Sequence, residues 1–321
     1  MKRFAQRIVL AIALIGLPAT AQAQQFPAGP ISVVIPLAPG DAADVTARVM
    51  GEELSRLLKT PVLAINRPGA GGAVGTNSVV QARKDGHTIL FAQNSALTFR
   101  AVLDPQSVTY DALRDLVPLG IASRSPSILV VRGDAPYKTF AEFIEYAKRN
   151  PGQVRTGHPG SGSVGDFCVQ LVNALTGAGL VPVPYTGAAP AIAALRGGHI
   201  ESVVLALGAL STHIKSGAFR GLVASSRFPE FADIPTMRDL GYREDLFGVW
   251  WSFLAPAGIP EDARKILVNA IEQAVVAPAI TARLLPLGIM QTYAPPEQTA
   301  AEIRDEFKRV SEMARKTGLV K

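Results

Sequence analysis

The sequence predicts an α/β fold in two lobes, and three observations predict it. Strand-like runs alternate with helical runs from end to end, the pattern of parallel sheets covered on both faces by helices. That order starts again in the second half of the chain. The length is 321 residues, 48% hydrophobic and 18% charged, which is long enough for two cores and too apolar for a disordered or coiled-coil chain.

The elements follow in order. Ile31 to Ile35 reads as a buried strand stopped by Pro36. Asp44 to Lys59 reads as a helix whose apolar face carries Val45, Val49, Met50, Leu54, Leu57 and Leu58. Val62 to Ile65 is a strand, and the loop 66–72 leads into a helix near Gly75. Thr88 to Ala92 is the next strand. Thr139 and Glu142 form a capping box before Phe140, Phe143, Ile144 and Ala147, and Asn150-Pro-Gly152 stops that helix. In the second half, strands are expected over 154–156, 181–185, 203–207, 222–225 and 250–255. Helices are expected over 167–175 and 189–195, and Ile303, Phe307 and Val310 mark an amphipathic C-terminal helix.

The N-terminus reads as an address. Lys2, Arg3 and Arg7 precede an apolar run from Ile8 to Leu17, and Ala21-Gln-Ala23 follows: a secretory signal cleaved after Ala23, about half the length of a membrane span. Cleavage removes three cations, so the formal charge falls from +6 to +3 over the remaining 298 residues. That charge, with no Lys/Arg run interleaved with aromatics, argues against nucleic acid. The single cysteine, Cys168, excludes a disulfide framework and offers no lipid anchor near the cleavage site. The expected product is an exported, soluble, periplasmic protein.

No enzyme signature survives inspection. Gly160-Ser-Gly-Ser-Val-Gly165 fits G-x-G-x-x-G, but no acidic residue ends the following strand, Val181 to Tyr185, so dinucleotide binding lacks its ribose anchor. His87, His158, His199 and His213 lie in different segments with no i, i+4 pair, and no metal site is expected. Cys168 reads as a packing residue. What remains is four loops where strands end and helices begin: Pro36 to Asp44, Gln93 to Ser95, Gly160 to Gly165, and Tyr185 to Gly187. Each alone is more often a cap or turn. Together, on the carboxyl ends of α/β strands, they suit capture of a small anion by free backbone N–H groups. No arginine falls inside them, so main-chain donors rather than a guanidinium clamp are expected to recognise the ligand. Trp250 and Trp251 suit a core strand better than a stacking platform.

Several stretches, in order, resemble one family. They are Ile35-Pro-Leu-Ala-Pro-Gly40 with Asp44, Asn66-Arg-Pro-Gly-Ala-Gly-Gly72, Lys84-Asp-Gly-His-Thr88 and Pro151-Gly152, then Val183-Pro-Tyr-Thr-Gly187 and Ala194-Leu-Arg-Gly-Gly198. Ser216-Gly217, Ile234-Pro-Thr236, Leu240-Gly241, Trp250 and Ala255-Pro-Ala-Gly258 complete the set. The chain is similar over its whole mature length to Bug-type extracytoplasmic solute receptors, the substrate-binding proteins of tripartite tricarboxylate transporters.

The resemblance implies two Rossmann-like lobes joined by a hinge, a periplasmic-binding-protein architecture with the ligand cleft between them. Lobe one would be 24–124 plus 250–321, and lobe two 125–249. It implies a monomer without cofactor or catalysis that binds a small carboxylate, often through bridging waters, and delivers it to membrane transporter subunits. The ligand-binding positions would be Ala38, Pro39, Gly40, Asp41, Ala42, Ala43, Asn94, Ser95, Ser161, Gly162, Ser163, Val164, Gly165, Asp166, Thr186 and Gly187. Two positions depart from the family. Asp41 stands where a second glycine is usual, and Gly165 and Asp166 stand where a histidine is common. Either both acids face the cleft, pointing to a ligand with an amine or neutral polar end, or both face solvent or cap helices. Alternatives of the same fold are a sensor that reports to a two-component system, and an amino-acid or aromatic-acid binder. An exported hydrolase would need a nucleophile–base pair.

Overall fold

The computed structural model describes residues 26–320, so the signal sequence expected over 1–23 lies outside the described residues. The first sheet is built from β1 (Ile31–Ile35), β2 (Val62–Asn66), β3 (Thr88–Gln93), β4 (Leu116–Ser125), β10 (Val249–Pro256) and β11 (Met290–Ala294), in the order β11-β4-β10-β3-β1-β2. The second contains β5 (Ser127–Arg132), β6 (Arg155–His158), β7 (Val181–Pro184), β8 (Ser202–Ala206) and β9 (Phe219–Ala224), in the order β7-β6-β8-β5-β9. Each sheet is flanked by helices, and the two make the two lobes.

The expectation of parallel sheets is corrected. β1 pairs in parallel with β2 and β3, and β6 with β7 and β8, but β10 runs antiparallel to β3 and β4, and β5 antiparallel to β8 and β9. The reason is the connections. β5 follows β4 across Pro126 alone, and β10 returns through the segment 225–248 with no α-helix, so neither strand has the crossover helix that restores direction. These two strands are the ones that pass between the lobes.

The helices form where apolar spacing and caps coincide. Helix α1 (Ala42–Leu58) begins at the N-cap Asp41 and buries Met50 and Leu54 beneath β1 and β3. Helix α2 (Ala73–Val80) follows the glycine loop 69–72, and α3 (Arg100–Leu103) continues a wide π-type turn, Ser95–Phe99. Helix α4 (Phe140–Arg149) carries the expected capping box: Thr139 Oγ1 accepts from the Glu142 N–H, and the Glu142 carboxylate accepts from the Thr139 N–H. Helices α5 (Val164–Thr176), α6 (Ala188–Arg196) and α7 (Leu207–Lys215) serve the second lobe. Helices α8 (Glu261–Val275), α9 (Pro278–Leu284) and α10 (Pro296–Lys316) return to the first. Among the described residues no single helix is long and apolar enough to cross a membrane.

Trp250 and Trp251 are buried in β10, as the core-strand reading expects. Cys168 is fully buried in α5, and burial pushes its thiol up to about 12, the mark of an inert packing residue.

Candidate functional site

The four loops converge on the seam between the lobes. In the first, β1 stops at Pro36 and the chain turns through Gly40, whose φ of +81° is the left-handed region that favours glycine. Asp41 then caps α1, its carboxylate accepting the Ala43 N–H at 3.0 Å. Asp44 holds the turn: it accepts from the Gly40 N–H at 3.0 Å, Arg48 at 2.9 Å and Asn66 at 2.9 Å. Burial opposes its ionisation, yet these three donors hold its carboxyl below the usual range.

Asp41 differs sharply from Asp44, three residues on, because no cation answers it. Burial raises its pKa from 3.8 to about 6; the Ala43 and Ala188 N–H groups oppose the shift and the Asp44 carboxylate adds to it. Ala188 is the first residue of α6 in the other lobe, so Asp41 stands where the N-termini of two helices meet across the seam.

In the second loop, Asn94 and Ser95 point in opposite senses. The Ser95 hydroxyl accepts the Val164 N–H at 3.1 Å, touching the N-terminus of α5 in the second lobe. The Asn94 side chain turns away from the seam: its Nδ2 donates to Glu306 at 2.9 Å and to the Gly248 carbonyl at 3.1 Å. Glu306 on α10 also accepts from Thr98 at 2.7 Å and from Trp250 Nε1 at 3.0 Å. Burial raises the Glu306 pKa against these three bonds, so they hold an otherwise costly buried carboxyl.

The second lobe supplies the other two loops. Ser163 caps α5, its Oγ accepting from the Asp166 N–H at 3.1 Å. Asp166 is turned into its own lobe, accepting from the Gly162 N–H at 2.8 Å and from Gln170 at 2.8 Å, and so braces the loop rather than facing the seam. Gly165 fits because a Cβ there would lie 2.6 Å from the Val204 carbonyl oxygen. His158 donates from Nδ1 to the Gly160 carbonyl, 3.0 Å away, and burial lowers its pKa, leaving the ring neutral at neutral pH. Thr186 is exposed, and Gly187, with φ of +120°, opens α6.

Direct contacts close the seam. A Cβ on Gly187 would lie 3.5 Å from the Ala38 Cβ, and one on Gly208 would lie 3.0 Å from the Ala42 Cβ. Arg100 reaches across: its Nη1 donates to the Ser161 carbonyl and its Nη2 pairs with Asp104 at 2.9 Å, while its buried Nε has no partner. Arg100 lies outside the four loops, yet it brings a guanidinium to the seam beside the third of them. The π-type turn Ser95–Phe99 carries Arg100 back toward the seam from five residues beyond Ser95, which no sequence motif signals. Behind it, Phe99, Phe167 and Phe247 meet edge-on with ring centroids 5.3–5.5 Å apart, an apolar hub drawn from both lobes and the linking segment.

Thus Ala38, Pro39, Gly40, Asp41, Ala42, Ala43, Ser95, Ser161, Gly162, Ser163, Val164, Gly165, Thr186 and Gly187 belong to loops on one seam, while Asn94 and Asp166 commit their side chains elsewhere. A cavity of about 600 Å³ opens instead beside the linking segment 225–248, where Arg124, Ser225, Phe228, Trp250, Glu306 and Arg309 line it, and it includes none of the seam loops. The seam is the better candidate, because converging helix N-termini and hydroxyls suit a small anion. Among the described residues, no group of three or more His, Cys, Asp or Glu is placed to hold a metal ion.

Comparison with known proteins gives the same picture. The profile described as "Tripartite tricarboxylate transporter family receptor" matches residues 46–319. Protein BugT of Bordetella pertussis is 32% identical over 320 residues, covering 99% of this chain and 98% of that one. The solved periplasmic binding protein BugD is 28% identical, with a TM-score of 0.86 over 92% of this chain and 99% of that chain. MatC from Rhodopseudomonas palustris, solved with bound malate, is 27% identical, with a TM-score of 0.84 over 90% of this chain and 99% of that chain.

Proposed function

The chain belongs to the tripartite tricarboxylate transporter receptor family, and from that premise we propose that it is a periplasmic receptor for a small carboxylate. The ligand is held between the lobes and passed to membrane transporter subunits. The observation that carries this reading is the convergence of the α1, α5 and α6 N-termini on one seam, with Ser95 and Ser163 hydroxyls beside them. Such N-termini stabilise an anion by roughly 0.3–1 kcal/mol each when exposed and up to about 2 when partly buried. The malate complex of MatC supports the ligand class.

In this reading, residues 24–124 with 250–321 move as one body and 125–249 as the other. β4–β5 and β9–β10 are the flexing links, and closure buries the ligand. The protein binds and releases; no covalent step is required of it. A thermal-shift screen of the purified chain against small mono-, di- and tricarboxylates tests the reading, since a ligand that binds the native state raises the melting temperature by mass action. At least one is expected to do so in a saturable manner. Absence of stabilisation by every carboxylate would overturn the assignment.

A further inference from the structure

The lobes also touch through a segment that belongs to none of the four loops. The turn 285–289 joins α9 to β11 in the first lobe, and it is pressed against the start of α7 in the second. Gly288, with φ of +81°, presents bare backbone to Leu207, and a Cβ there would overlap the Leu207 side chain. The fit is reciprocal, since a Cβ on Gly208 would lie 2.7 Å from Ile289 Cγ1. Leu285 packs on the hydrophobic cluster of the second lobe, and at the far end of α7 Lys215 Nζ donates to the Pro286 carbonyl at 2.9 Å. Ser125, the buried last residue of β4, bonds to both halves of the contact. Its Oγ donates to the Gly288 carbonyl at 2.8 Å and accepts the Gly208 N–H at 3.2 Å. Pro126 alone separates Ser125 from β5, and its carbonyl accepts the Leu207 N–H at 2.8 Å.

We propose that the turn 285–289 is a third, non-covalent hinge point: it stays docked on α7 while the seam opens, and Ser125 is the positioning residue that holds it there. This rests on the receptor reading above, in which the lobes open and close, and adds which contact between them survives. Two features set the contact apart from those of the seam. It adjoins the β4–β5 crossing through Ser125, and displacement in a rotation grows with distance from the link. It is also apolar and interdigitated, with Leu207 and Ile289 fully buried, so parting it would expose packed hydrophobic surface to water. The seam is held instead by single polar bonds, such as Ser95 with Val164 and Arg100 with Ser161, whose partners water can replace. Two chain crossings alone would let the second lobe twist as well as open; a third point beside them leaves it fewer arrangements.

Amide hydrogen exchange of the purified chain without ligand, read at single residues, tests this. The Gly208 and Val164 N–H groups are matched probes, because each lies at the start of a helix and donates to a serine hydroxyl, Ser125 or Ser95. Val164 is the more buried of the two, so burial alone would make it the slower. A contact that survives opening should instead make Gly208 slower than Val164 by about tenfold or more. Ser125→Ala, and separately Lys215→Met, which keeps the apolar stem but loses the bond to Pro286, loosen the third point and free further open arrangements. Each should speed Val164 by about threefold or more while Phe91 in β3 and Val130 in β5 keep their rates. Exchange at Gly208 as fast as at Val164 in the unaltered chain overturns the inference. So do variants that leave Val164 unmoved, or that speed the sheet amides equally. None of these outcomes touches the receptor reading, which the carboxylate screen decides separately.

Discussion

Replacing Asp41 with Asn should make the protein more stable at neutral pH. The side chain is buried at the seam, and its carboxyl has its pKa raised from 3.8 to about 6. The sign follows from proton linkage. A group whose pKa is higher when folded contributes stability below its unfolded value, and that contribution is lost as the pH rises through the folded value. Here the loss runs from about pH 4 to pH 6, and the ionised carboxylate is a net burden above it. Two units at about 1.4 kcal/mol each give about 3 kcal/mol as an upper figure. Asparagine removes the charge but retains an oxygen for the Ala43 N–H, and Asn and Asp are equivalent N-caps to first order. Urea denaturation of both proteins at pH 4 and pH 7.5 reads the difference. The variant should be close to the parent at pH 4 and more stable by about 1–3 kcal/mol at pH 7.5. A variant no more stable at pH 7.5 than at pH 4, relative to the parent, would refute the claim that a buried, uncompensated charge sits at the seam.

Glu306→Ala leaves the Asn94, Thr98 and Trp250 donors without their acceptor, and should cost about 3 kcal/mol or more in denaturant unfolding, with Glu306→Gln costing less. Gly165→Ala should cost about 2 kcal/mol or more, because its Cβ would sit 2.6 Å from the Val204 carbonyl oxygen and 2.8 Å from Pro159 Cδ, backbone-fixed atoms that cannot step aside. A melting temperature within a degree of the parent's in either Ala variant would show that the packing there is looser than described.

The local elements were legible because their signals are local. Ile31–Ile35 is bounded by Pro36, and the Thr139–Glu142 box announces its own helix, so strand and helix fall where the residues indicate. The strands that cross between lobes were not legible. Leu116–Ser125 and Ser127–Arg132 are separated by Pro126 alone, and nothing in their apolar pattern tells a reader that they belong to different sheets or run against their neighbours. The loops of the site could be found, since each follows a strand and opens a helix, but the direction of a side chain within a loop is set by tertiary partners. Asn94 turns to Glu306, 212 positions away, and Asp166 to Gly162. Arg100 and Glu306 carry no motif at all; burial in a place assembled from distant segments is what makes them matter.

That pairing of neighbours with opposite tasks ties the segment that links the lobes to the seam between them. Asn94 is tied through Glu306 and Gly248 to the strand that crosses between lobes, and Ser95, the next residue, touches the first N–H of α5 in the other lobe. One peptide unit separates a bond to the linking segment from a bond to the second lobe. Phe99, in the same turn, packs on Phe167 of α5 and Phe247 of the linking segment. Rotation of the second lobe therefore cannot break the Ser95–Val164 contact without working against a turn that is fixed behind it by a buried carboxyl and an aromatic hub. Packed interfaces of this kind favour discrete arrangements over continuous deformation. In the proposed receptor reading, the turn 94–100 is a stiff bracket against which the second lobe would open, and the contacts between lobes that opening would break include Ser95 with Val164, Arg100 with Ser161 and, from the first loop, Asp41 with Ala188.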